Sequence, residues 1–197
     1  MKKTILLLSI VALSGIFLSS FVNNKKQDLK INTKISSIEW IGKKVTGQHT
    51  GAINIKEGSL QVVDGIIKTG KVVIDMNSIT NTDMEGEWSQ KLLDHLNSAD
   101  FFDVKNHSAS TLEINSVKNI EGNKYIVNGN LTIKGISKPI EFPATIEVKD
   151  GKLAAFAEVK IDRTLYDIKY GSGKFFEGLG DKMIDDEFIV KFKIAAE

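Results

Sequence analysis

Few side chains in this chain could carry chemistry, and their spacing argues for binding over catalysis. His49, His95 and His107 are the three histidines, and none falls in HExxH or another close metal-ligating pattern. Cysteine is absent, which removes thiol nucleophiles, thiolate metal sites and any lipid-modified cysteine tether. No serine occupies a GxSxG elbow. GSGK at residues 171–174 lacks the GxxxxGK spacing and the following Ser or Thr of a phosphate-binding loop. Carboxylates are plentiful, but nothing in the pattern pairs them for acid and base work. The reading is of a protein that is not an enzyme and needs neither metal nor cofactor. The residue type that stands out is arginine: Arg163 is the single one among 26 basic side chains, and a planar guanidinium suits bidentate bonding to a carboxylate or phosphate. Asp162 and Asp167 lie close in sequence, so a structural ion pair is expected ahead of a contact with a ligand head group.

These residues must be positioned by a scaffold that alternates with period two, the mark of half-buried strands. Tyr125, Val127, Leu131 and Ile133 alternate with polar neighbours; Ile140, Phe142, Ala144, Ile146 and Val148 do the same, and Phe188, Val190, Phe192 and Ile194 close the chain. Brief connections with turn residues, among them Asp64-Gly65, Glu121-Gly122-Asn123, Gly135-Ile136-Ser137 and Asp150-Gly151, imply antiparallel neighbours. Eight strands are expected, near residues 35–43, 45–57, 60–76, 108–119, 123–135, 137–149, 152–162 and 187–195. One amphipathic helix over about 83–97 interrupts them. Met84, Trp88, Leu92 and Leu96 form its stripe, and Thr82 with Glu85 has the form of a capping box. Eight one-sided strands can hide their apolar faces in a two-sheet sandwich or a closed barrel, and periodicity leaves both open.

The segment HLNSADFFD decides the matter by resemblance. His95, Leu96, Ser98, Asp100, Phe101, Phe102 and Asp103, followed by Gly129, Leu131, Thr132, Gly135, Lys138 and Pro139, resemble the signature of YceI-like, polyisoprenoid-binding proteins. The resemblance spans about residues 34–195. It implies an all-β fold, an antiparallel eight-stranded lipocalin-like barrel, with a long-chain isoprenoid, quinone-like or acyl lipid as its partner. Within such a barrel the inward, ligand-contacting candidates are Trp40, Val72 and Ile74, then Leu112 and Ile114, then Tyr125, Val127 and Leu131. Phe142, Ile146, Phe156, Val190 and Phe192 complete the set. Leu153, Ala155 and Ala157 form the alternative inward face of the Phe156 strand, because they have the opposite parity.

His95 is read first as a packing residue at the helix end, and second as a head-group contact. IDRTLYDI, holding Arg163, resembles the family's arginine-containing segment, with Leu165-Tyr166 where Asp-Phe is commoner. Residues 163–186 make a long connection containing Tyr166, Tyr170, Phe175 and Phe176 among glycines, expected to act as an aromatic flap over one barrel mouth.

Domain organisation follows from the first residues. Lys2 and Lys3 precede an apolar run from Ile5 to Phe21, the form of a secretory signal peptide over 1–22, with an uncleaved anchor as the alternative. Residues 23–33 read as a polar linker and 34–197 as one domain. Loss of residues 1–20 leaves 24 basic against 25 acidic side chains, so no basic footprint for nucleic acid exists. The expected product is exported, periplasmic or secreted, and not integral to the membrane after cleavage; its oligomeric state, homodimer included, is left open. The rival functions are an enzyme or enzyme accessory acting on such a lipid, and a ligand-free barrel working through a protein partner.

Overall fold

The structure is a computed structural model that describes residues 26–197. The segment read as a signal peptide lies outside the described residues. Among the described residues nine strands form: β1 Lys26–Lys30, β2 Ser37–Lys44, β3 Gly47–Val63, β4 Ile66–Asp75, β5 Ala109–Glu121, β6 Lys124–Ile133, β7 Ile136–Lys149, β8 Lys152–Asp162 and β9 Glu187–Ala196. The helix α1 spans Gly86–Asn97 between β4 and β5. Strands β2 to β9 close into an eight-stranded antiparallel barrel, because β3 pairs with β2 on one edge and with β4 on the other.

The ninth strand corrects the linker reading. β2 covers only the first part of one edge of β3, with Ile38 opposite Ile53, and β1 covers the rest, with Lys30 opposite Ser59. Beyond β1, Ile31 bridges Ala196 of β9. The two segments thus share one strand position between β3 and β9. The cause is visible in the residues: Leu29 and Ile31 are two apart and both buried, while the polar neighbours that suggested a tether face water.

A second correction concerns β3 and β4. The expected break near residues 58–59 is absent; the chain runs through Gly58 with a register shift between Ile55 and Glu57, and reverses at Asp64-Gly65. There both residues have positive φ, the two-residue turn whose twist suits a hairpin. Gly58 is needed for packing, since a Cβ there would stand 2.9 Å from the Lys71 carbonyl oxygen as well as 2.5 Å from Ile31 Cδ1. Lys134-Gly135 and Asp150-Gly151 turn in the same way as Asp64-Gly65.

Antiparallel alternation sorts the connections into two poles. The turns at 64–65, 122–123 and 150–151 and the kink between β1 and β2 lie at one end. At the other end lie the β2–β3 hairpin, the whole stretch 76–108 with α1, and residues 163–186. The capping box does not form. Thr82 N–H donates to the Thr50 carbonyl instead, the helix begins after Glu85, and no side chain caps it. Of its stripe only Leu96 is buried, Leu92 and Leu93 pack partly on the core, and Trp88 is 72% exposed.

Because β1 completes the wall, Leu29→Ala is expected to cost about 2–5 kcal/mol, the range for a buried leucine. Urea denaturation would measure it. A loss no larger than that of the exposed Lys26→Ala would return the segment to the status of a tether.

Candidate functional site

The barrel encloses a cavity of about 200 Å³. An apolar cavity of about 150 Å³ is enough to accept a benzene-sized molecule, so this one has room for more than a ring. Its wall is built from the inward positions of the strands, and nearly every lining residue is apolar. Three polar groups reach it from within, one of them Arg163, whose donors are spent on backbone carbonyls. Ser110 is buried with its hydroxyl directed to Met76 Sδ at 3.2 Å, and Trp40 spends its indole N–H on the Thr80 carbonyl at 3.0 Å. Phe142 and Phe192 meet edge to face on the wall, with ring centroids 5.7 Å apart. Small residues keep the space open: Ala144 and Ala155 line it where longer side chains would fill it.

The cavity reaches the surface at the pole of long connections. Gly42, Lys43, Ile184, Asp185 and Glu187 line that end together with Phe102 and Phe188. Lys43, Asp185 and Glu187 are exposed there. Asp185 N–H donates to the Lys43 carbonyl at 2.9 Å, tying β2 to the start of β9. The result is a dry lumen with a charged rim, suited to a molecule with an apolar body and a polar end.

Of the expected inward residues, Trp40, Val72, Ile74, Leu112, Ile114, Val127, Leu131, Phe142, Ile146, Val190 and Phe192 line the cavity. Tyr125 packs on the core nearer the closed pole, outside the lining. Phe156 is a correction: it is 44% exposed on the outer wall. Leu153, Ala157, Val159 and Ile161 share the buried face of β8, so its one bulky aromatic has the parity of the wet side. Sequence reasoning missed Ile38, Ile53 and Leu60, which the alternation of β2 and β3 could have supplied. It also missed Lys43, Asp185 and Glu187, which as single exposed charges carry no signal.

Arg163 serves the scaffold. It is 1% exposed, and its guanidinium donates to the carbonyls of Ile168 at 2.8 Å, Asp185 at 3.0 Å and Ile184 at 3.1 Å. Asp186 approaches at 3.8 Å, and the Phe101 ring lies below at 5.6 Å. The expected partners are therefore replaced. Asp162 accepts from the Thr164 N–H and hydroxyl and from Lys174, while Asp167 pairs with Lys169 at 2.6 Å. Burial lowers the Arg163 pKa against the pull of Asp186, Asp162 and Asp185, yet a guanidinium stays charged in proteins. Burial likewise raises the Tyr166 phenol, which is 2% exposed. Burial pushes Asp162 up, but the bonds from Thr164 and Lys174 outweigh it and hold the carboxyl below its ordinary range.

The connection expected to form a flap lies at the mouth's pole, with its aromatic side chains outside the cavity lining. Tyr170, Phe175 and Phe176 are about half exposed and take no part in the lining. Tyr170 packs on His95 with ring centroids 4.3 Å apart, and the Lys169 ammonium lies over Phe175. His95 sits between Tyr170 and Phe101, outside the lining, and its buried Nε2 finds no hydrogen-bond partner among the described residues. Phe101, buried beneath it, and Phe102 form part of the cavity wall.

Comparison with known proteins agrees with this architecture. The model of the YceI-like domain matches residues 29–196. A UPF0312 protein of Pectobacterium atrosepticum is 33% identical over 75 residues, 38% of this chain, and the match spans only 35% of that relative's length. Among solved structures, BcnA of Burkholderia cenocepacia superposes with a TM-score of 0.63 at 19% identity, covering 85% of this chain and 99% of that one. A polyisoprenoid binding domain from Saccharophagus degradans gives 0.62 at 14%, covering 86% and 97%. The YceI protein of Campylobacter jejuni gives 0.54 at 26%, covering 74% and 84%.

Two outcomes follow for the Arg163 cluster. Arg163→Lys leaves at least one buried carbonyl without a donor and is expected to lower stability by about 1–3 kcal/mol, read from the denaturant midpoint. A folded pKa held below the unfolded one means that Asp162 contributes its stability fully above the unfolded value of about 3.9 and loses it as pH falls through the lower folded value. Proteolysis within residues 163–186 should therefore stay constant from neutral pH down to about pH 5 and rise below about pH 4.

Proposed function

The chain belongs to the YceI-like domain family, and from that premise we propose that it is an exported carrier that sequesters the apolar tail of a polyisoprenoid, quinone-like or fatty-acyl lipid. The observation that carries this reading is the union of an apolar lumen with a charged rim at a single end. Each methylene moved from water into such a lumen gains about 0.8 kcal/mol before the costs of ordering and association. A polar head has no free partner inside, because Ser110, Trp40 and Arg163 all have partners already, so it stays at the Lys43, Asp185 and Glu187 rim. The mechanism is shielding without chemistry. An exported protein fits the opening segment of the sequence, with its lysines and apolar run.

Gentle purification followed by solvent extraction and mass spectrometry tests the proposal, with a stoichiometric long-chain lipid as the expected result. Ala144→Phe sharpens it. In a lumen meant for a ligand, the added ring occupies ligand space, so lipid recovery falls sharply while the protein still unfolds cooperatively. In a core packed for its own sake, the same change costs about 1–3 kcal/mol of overpacking and alters no lipid content.

A further inference from the structure

The exposed apolar side chains are unevenly placed. Among the described residues the large exposed ones include Ile35 and Ile120 at the closed pole and Phe156 on the barrel wall. The others belong to connections at the mouth's pole, including Val45 at 54%, Trp88 at 72%, Tyr170 at 48%, Phe175 at 48%, Phe176 at 50% and Met183 at 37%. Several of them are joined. Val45 N–H donates to the Met183 carbonyl at 3.2 Å, Lys44 bridges Ile184, and the Ile184 N–H donates to Gly171, next to Tyr170. Ile184 in turn lines the cavity. Val45, Met183 and Tyr170 thus stand on backbone tied to Ile184, a residue of the lumen wall.

We propose that this pole docks on a lipid bilayer, with its aromatic and aliphatic side chains entering the headgroup region so that the mouth opens onto the lipid. The deduction rests on the lipid-carrier reading above, since a bilayer is where molecules with long apolar tails are stored. Trp, Tyr and Phe beside lysine are the side chains that favour such an interface, the ring turned to the acyl boundary and the ammonium to water. Lys91 over Trp88 at 4.9 Å and Lys169 over Phe175 at 5.3 Å supply that pairing. Charge is not the driving force. Residues 163–186 carry four basic and five acidic side chains, so docking draws on apolar insertion and responds little to anionic lipid or salt. The Arg163 clamp holds the connection that bears Tyr170, Phe175, Phe176 and Met183 in one shape, so the patch is presented without prior ordering.

The test uses the full chain in a Trp40→Phe background, which leaves Trp88 as the sole tryptophan. Its quenching by brominated phosphatidylcholine vesicles reports on this pole, and because every variant carries the same residues 5–21, differences between variants are assigned to the rim. Quenching is expected, unchanged when phosphatidylglycerol is added. Phe175→Ser with Phe176→Ser should reduce it at least about fivefold, and Phe156→Ser should not. Absence of quenching, equal quenching in the rim variant, or protection of the rim by dimer formation would overturn the proposal. Uptake of a pyrene-tagged acyl chain, measured with Trp40 intact, separates the two readings. The rim variant should load normally from detergent solution and slowly from vesicles. Failure of the parent protein to load from either would sink the carrier reading instead.

Discussion

Closure of the sheet is the constraint on which everything else here depends. β3 is long enough to pair with β4 along one edge and with two successive segments, β2 and β1, along the other. Once the ring is shut, each strand's period-two alternation becomes a sorting of inside from outside, with no choice left at single positions. Antiparallel order then sends every long connection to one pole, because only tight turns remain at the other. The lumen, its mouth and the exposed rim are consequences of that topology.

The mouth needs a second device, because long connections over an apolar opening tend to collapse into it. Arg163 provides it by taking carbonyls from both ends of the 163–186 connection, Ile168 near its start and Ile184 and Asp185 near its finish. Lys174 adds an outer tie by bridging Asp162 and Asp186. A buried cation is costly unless its donors are used. Here three carbonyls accept from them, the Asp186 carboxylate 3.8 Å away offsets the charge without a hydrogen bond, and the Phe101 face covers the remaining side. The group that most resembled a ligand-binding element in the sequence is consumed in holding the entrance open.

Legibility followed periodicity. β8 was read with its bounds at 152–162, and most inward residues were found, because alternation is a local signal that closure merely enforces. Phe156 failed for a reason of volume: ranking by size favours the lone phenylalanine, whereas the strand turns its alanines and branched residues inward. β1 escapes a sequence reading because Leu29 and Ile31 among polar neighbours give too short a pattern to mark a strand. Arg163 does line the cavity, but its partners are not legible, because a guanidinium says that planar acceptors are near without saying which. Backbone carbonyls leave no mark in a sequence, so Asp162 and Asp167 stood in for them. The expected helix cap failed likewise, since Thr82 was already committed to β3.

What the lumen forgoes bears on what it is for. Side chains leave about 200 Å³ unfilled, and at about 24 cal/mol per Å³ such a volume sacrifices on the order of 5 kcal/mol of packing. That is comparable with the whole stability of many domains. Nothing in the wall forces the sacrifice: Ala144 and Ala155 stand on regular strands where leucine or valine would fit the backbone equally well. Packing of Phe101, Phe102 and Leu96 against one end shows that this chain has bulky residues to spend on filling space, and it places them at the rim of the cavity. A core selected for stability alone would close such a gap. A lumen that keeps it, lined by apolar atoms and open where the charges begin, gives a lipid tail the contacts that the protein withholds from itself, and bound ligand would then raise the stability of the fold by mass action.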